Sequence, residues 1–185
     1  VDNPSLNWST SGDGGWFSQV TVFHDGVSAI QSGAIVDNQT SNVQTTVTGP
    51  AQVSFYWKVS SESGYDYLRF YIDGVEQDMI SGIMLDWQQK GYVLPAGSHT
   101  LKWSYTKDGS VSSGQDCGWL DKVEVITTKP TLTITTSGPG TVNASPDGTS
   151  CGSNCHEYEW NTVVTLTATA QAGSMFFEWS GDCIG

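Results

Sequence analysis

The chain has 185 residues and carries 7 Lys+Arg against 19 Asp+Glu, a formal net charge of −12. Such a surplus of carboxylates repels phosphate backbones and anionic lipid, so no nucleic acid partner is expected, and divalent cations, neutral glycans or a basic protein suit it better. The longest apolar runs fall short of the roughly 18 residues of a membrane span, so direct membrane insertion is not expected either.

The length suits a domain of about 100 to 150 residues followed by a smaller one. Helical periodicity is nearly absent, and Gly or Pro interrupts most stretches. Alternation of apolar and polar residues instead marks strands over residues 43–48, 53–59, 68–72, 91–94, 100–105 and 119–126. Between them, Thr48-Gly49-Pro50, Asp73-Gly74, Pro95-Ala96-Gly97 and Asp108-Gly109 supply turn chemistry. The expected fold is therefore all-β, an antiparallel β-sandwich over residues 1–128. At Thr127-Thr128-Lys129-Pro130 the texture changes from Trp- and Tyr-rich to Thr-rich strands. Residues 129–185 are then expected to form a small β domain near the lower limit for an independent core.

Two carboxylates fall on inward faces. In GYDYLRFYIDG, Asp66 shares its register with Leu68, Phe70 and Ile72, and in WLDKVEV, Asp121 shares a face with Trp119, Val123 and Val125. An unpaired buried charge is expensive. With few basic residues in the chain, bound Ca²⁺ is the expected partner, because it takes 6–8 oxygen ligands, backbone carbonyls included. Glu62, Asp108 and Asp116 lie in adjoining loops and complete the expected shell. The alternative is that Asp66 and Asp121 accept backbone N–H groups at strand ends. Asp13 before Gly14-Gly15 and Asp25 before Gly26 read first as turns, and His24 as a packed or hydrogen-bonded histidine.

Aromatic residues divide in two. Phe55, Trp57, Phe70 and Trp103 alternate as core, whereas Trp16, Phe17, Tyr65, Trp87 and Tyr92 fall in loops or on strand edges, where a flat ring could stack on a sugar or pack on the rim. A nucleophile elbow, a P-loop and a Gly-rich dinucleotide turn are all missing, and Cys117 lacks a nearby histidine, so an enzyme is not expected. Cys151 and Cys155 flank Gly152-Ser153-Asn154, a loop flexible enough for the two to bond. That pair, with the abundance of Gly, Trp, Thr and Ser, points to an extracellular or cell-surface protein.

The segments LNWSTSGDGGWFSQ, HDGVSAIQSG, FYWKVSSES, YDYLRFYIDG and GQDCGWLDKVEV together resemble a MAM-type jelly-roll module of large secreted bacterial proteins. YDYLRFYIDG, with Glu62 before it and KDGS after it, is also similar to the calcium-binding pattern of CUB domains. Residues 138–142, 151–155, 163–168 and 179–183 resemble the start, cysteine loop, strand and W-S-G-D-C motif of a divergent internalin-type B repeat. These resemblances imply a non-enzymatic adhesive or structural module of a surface protein or appendage, with a surface glycan, a protein ligand or neighbouring copies of itself as partner. A carbohydrate-binding module of a secreted polysaccharide-degrading protein is the alternative. In the repeat family a further cysteine and a last strand follow W-S-G-D-C, which leaves Cys183 free, bonded to Cys117, or bonded between chains. The missing strand would come from a longer chain or, by strand addition, from a neighbouring subunit. Residues 1–6 are a candidate donor that Pro4 would interrupt.

Overall fold

The computed structural model describes Asn3 and residues 5–182. Two compact units make up the chain, Val1–Thr127 and Thr128–Gly185. No helix occurs among the described residues, and every strand pairing is antiparallel.

The first unit contains β1 (Trp8–Gly12), β2 (Phe17–Gln19), β3 (Ala29–Gln31), β4 (Thr40–Ser60), β5 (Tyr67–Ile72), β6 (Val75–Ser81), β7 (Gln88–Thr106) and β8 (Cys117–Ile126). They form one curled sheet in the order β2-β3-β8-β4-β7-β5-β6, with β1 paired to β4. The segments 43–48 and 53–59 are two halves of one 21-residue strand, β4, and 91–94 and 100–105 are halves of the 19-residue β7. Both punctuation signals are corners rather than reversals. Gly49 faces Gly97, the register slips between Gly49 and Ala51, and the two long strands bend together there. A Cβ on Gly49 would lie 1.9 Å from the Pro95 carbonyl oxygen, so only glycine permits this approach.

The bend makes the sandwich. Residues 41–45 of β4 pair with β1, and residues 101–106 of β7 pair with β5. Beyond the corner, residues 52–60 of β4 pair with β8. Phe55, on the far half, packs against Phe70 and Trp103 on the near half, with ring centroids 4.7 and 5.1 Å apart. Trp57, Trp103, Phe55, Phe70, Leu68, Leu101 and Leu120 are all fully buried between the layers, and each aromatic among them buries a large apolar area. Asp73 and Gly74, at φ 51° and 80°, form the tight turn between β5 and β6.

The second unit contains β9 (Thr131–Thr133), β10 (Gly140–Ser145), β11 (Thr149–Gly152), β12 (Cys155–Glu157) and β13 (Thr165–Ala170). β10 pairs with β13, and β11-β12-β9 form a separate sheet. Cys151 and Cys155 are disulfide-bonded across the β11–β12 turn. Among its described residues only Tyr158 is buried.

Candidate functional site

Asp66 is fully buried immediately before β5, and its partner is a lysine. Lys107 follows Leu101, Trp103 and Tyr105 on the inward register of β7, so its side chain enters the protein and becomes wholly buried. Its Nζ donates to Asp66 Oδ2 at 3.2 Å, to Ser112 Oγ at 3.1 Å and to Asp116 Oδ2. The other Asp66 oxygen accepts the backbone N–H of Asp108 at 2.9 Å. Tyr105 donates its hydroxyl to Asp116 Oδ1 at 2.8 Å. Desolvation works against charge on Lys107, yet hydrogen bonds to Asp116 and Asp66 leave its pKa raised. Desolvation likewise opposes the Asp116 carboxylate, and the bonds from Lys107, Tyr105 and Ser112 nevertheless hold its pKa below the usual value.

Carboxylate oxygens of Glu62, Asp66 and Asp108 lie within 4.8 Å of one another beside this lysine. Glu62 Oε2 is buried and has no hydrogen-bond partner among the described residues. Desolvation, followed by the Asp108 and Asp66 charges, raises the Glu62 pKa. An all-oxygen group with an orphaned carboxylate oxygen fits a hard cation such as Ca²⁺.

The expected five-carboxylate shell is not one site. Asp116 shares Lys107 with Asp66 but lies outside the three-carboxylate group. Asp121 is a separate, fully buried clamp: Oδ2 accepts the backbone N–H of His24 at 2.7 Å and of Asp25 at 3.3 Å, and Oδ1 that of Lys122 at 2.8 Å. The physical reason lies in the β4–β8 pairing. β8 bulges opposite β4 between Ser54 and Tyr56, Lys122 takes φ 48°, and Asp121 turns to the outer face against Tyr56. There it pins the segment between β2 and β3. The His24 ring consequently stacks on Tyr56, centroids 3.6 Å apart and planes 18° apart, with Trp87 edge-on at 6.2 Å.

The five aromatics expected as a ligand face do not come together. Trp16, in the segment before β2, is a core residue at 8% exposure, in one buried cluster with Ile35 and beside the close backbone approach of Gly14 and Gly33. Tyr92 packs on Phe55 and Phe70 at the core margin. Phe17 lies exposed on β2 and Tyr65 exposed in the segment before β5. Trp87 alone joins a surface aromatic group, and its companions His24 and Tyr56 were missed as ligand candidates. Tyr56 was legible as the outward residue between Phe55 and Trp57, and no sequence signal marks His24 as its stacking partner.

Cys117 is a buried free thiol whose pKa burial pushes up to about 12. Cys183 lies outside the described residues, so its pairing does too. Asp13 accepts the Thr40 N–H at 2.9 Å and returns its own N–H to the Thr40 carbonyl, a turn clamp rather than a cation site.

No protein-family model and no curated protein matches the chain. Among solved structures it is similar to the secreted serine protease VesC from Vibrio cholerae, at 14% identity and a TM-score of 0.51 over 63% of this chain. The match spans 24% of the protease chain, and the likeness is one of fold. It is also similar to the K2 cleaved adhesin domain of Lys-gingipain, at 15% identity and a TM-score of 0.47, covering 65% of this chain and 90% of that one. A third similar structure is the CBM22-1 xylan-binding domain from Paenibacillus barcinonensis Xyn10C, at 16% identity and 0.45, covering 64% and 84%.

Proposed function

We propose that the chain is a non-enzymatic adhesive module of an extracellular bacterial surface protein, and that its ligand is a surface glycan. The observation that carries this reading is how the reactive groups are used. Asp66, Lys107, Asp116 and Tyr105 bond to one another, Asp121 holds backbone N–H groups, and burial keeps the Cys117 thiol protonated. An aromatic group, in contrast, lies half-exposed on the outer face of the sandwich. The Cys151–Cys155 disulfide supports an oxidising compartment. Incubating the labelled chain with an array of immobilised glycans tests the reading: retention on a defined subset supports it, and retention on none contradicts it.

Ca²⁺ at Glu62, Asp66 and Asp108 belongs to the same reading. Lys107 offsets one charge among four neighbouring carboxylates, so a divalent cation would neutralise most of the remainder. A ligand that binds only the folded state stabilises it by mass action. Excess chelator should lower the melting temperature and added calcium restore it, with Glu62→Gln abolishing the difference. Identical melting curves with and without chelator contradict calcium binding.

A second reading attaches to the other unit. Pro130, Leu132, Tyr158, Val164, Leu166 and Trp179 line a cavity of about 400 Å³, bordered by β9 and β13, and the buried Tyr158 hydroxyl has no partner among the described residues. Among the described residues both strands have one unpaired edge. An added strand would fill the cavity and pair with an edge. Addition between copies predicts concentration-dependent assembly by light scattering, and a monomer at every concentration contradicts it. The candidate donor segment includes residues 1, 2 and 4, which lie outside the described residues.

A further inference from the structure

We propose that the outer-face group of His24, Tyr56 and Trp87 is the glycan seat, that it takes a neutral hexose or pentose chain, and that Asp121 positions it. The inference rests on the glycan-binding reading above and adds the place and the chemistry.

Asp121 directs its two buried oxygens at three backbone N–H groups, two of them on a segment with no regular structure. A buried carboxylate needs such partners, and the consequence is a loop fixed in one position. What the clamp fixes is an exposed imidazole. One face of the His24 ring lies on Tyr56, the residue as a whole is exposed, and Trp87 stands edge-on to it at 6.2 Å. Neither ring nitrogen of His24 holds a hydrogen bond among the described residues. An exposed flat ring beside a second aromatic suits the C–H face of a pyranose, while the ring nitrogens meet its hydroxyls. Pre-fixing the loop removes an ordering cost that binding would otherwise carry.

Charge selects the class of glycan. The chain carries a formal −12, so uronate and sulfated chains are repelled and uncharged ones are not. The other four aromatics expected from the sequence do not offer an equivalent place: Phe17 and Tyr65 make no ring contact among the described residues, and Trp16 and Tyr92 pack on the core.

Affinity electrophoresis of the full chain through gels containing xylan, β-1,4-galactan, β-1,3-glucan or polygalacturonate tests this. At least one neutral polymer should retard the wild type, and polygalacturonate should not. His24→Ala and Trp87→Ala should each weaken retardation on the order of tenfold, while Phe17→Ala and Tyr65→Ala leave it within about twofold of wild type, the scatter expected of distant surface changes. Asp121→Asn should weaken retardation together with faster hydrogen exchange at the His24 and Asp25 amides. Retardation of the wild type that survives both His24→Ala and Trp87→Ala overturns the seat and leaves the glycan reading standing. No retardation in any neutral polymer overturns both. Stronger retardation by polygalacturonate than by neutral polymers overturns the assignment of ligand class.

Discussion

Lys107 Nζ lies 3.2 Å from Asp66 Oδ2, and both side chains are completely removed from solvent. Breaking a buried pair leaves an uncompensated charge, which costs far more than the pair contributes relative to an apolar replacement. Lys107→Met should therefore destabilise the first unit by about 3–5 kcal/mol, since Asp66 and Asp116 would both lose their cation. Urea denaturation followed by tryptophan fluorescence measures this. A loss below about 1 kcal/mol, the range of a surface pair, would show that water reaches the cluster.

The lysine was readable, and it shows where the sequence argument stopped. Residues 101, 103 and 105 alternate inward along β7, and Lys107, one residue past its end, continues the register that placed Leu101, Trp103 and Tyr105 in the core. Counting few basic residues in the whole chain hid the one that mattered. The all-β antiparallel sandwich was legible because alternation is a local signal, and the core aromatics Phe55, Trp57, Phe70 and Trp103 followed from it. The corner at Gly49 and Pro95 was not, since a turn signal does not say whether a strand reverses or bends. Short β2 and β3 carry too few residues to alternate. The His24–Tyr56 stack depends on a bulge in β8, a non-local event with no mark at either residue.

His99 and Asp73 give the sandwich a pH dependence. His99 Nδ1 lies 2.7 Å from Asp73 Oδ2, and Asp73 Oδ1 also accepts the Thr100 N–H at 2.8 Å. The hydrogen bond to Asp73 raises the His99 pKa above 6.5, and the bond from His99 lowers that of Asp73 below 3.8. A raised histidine contributes stability that is full below its unfolded pKa and is lost as pH rises through the folded value. The depressed carboxylate contributes stability above its unfolded pKa and loses it as pH falls through the folded value. The pair is thus strongest between the two ordinary values, 3.8 and 6.5. Wild type minus His99→Gln stability should be larger at pH 5.5 than at pH 9, measured by urea denaturation. Equal differences at the two values contradict an ion pair.

Thiol chemistry separates the cysteines. Cys117 is buried with its pKa pushed up to about 12, and a thiol at that value is almost wholly protonated at neutral pH. Iodoacetamide should leave Cys117 unmodified in the folded chain and alkylate it after unfolding. Peptide mapping without reduction should recover Cys151 bonded to Cys155. A bridge from Cys117 to either of them contradicts the structure.

Binding without turnover is the centre of the account, because the ionisable groups buried in the first unit are read as scaffold. The direct measurement mixes the full chain with a neutral polysaccharide that retains it, then follows bound protein and newly formed reducing ends in the same sample over hours. The account predicts saturable binding with reducing ends at the level of the protein-free control. Reducing ends that accumulate in proportion to bound protein, and that disappear with Asp66→Asn, would contradict it and make the buried carboxylates catalytic.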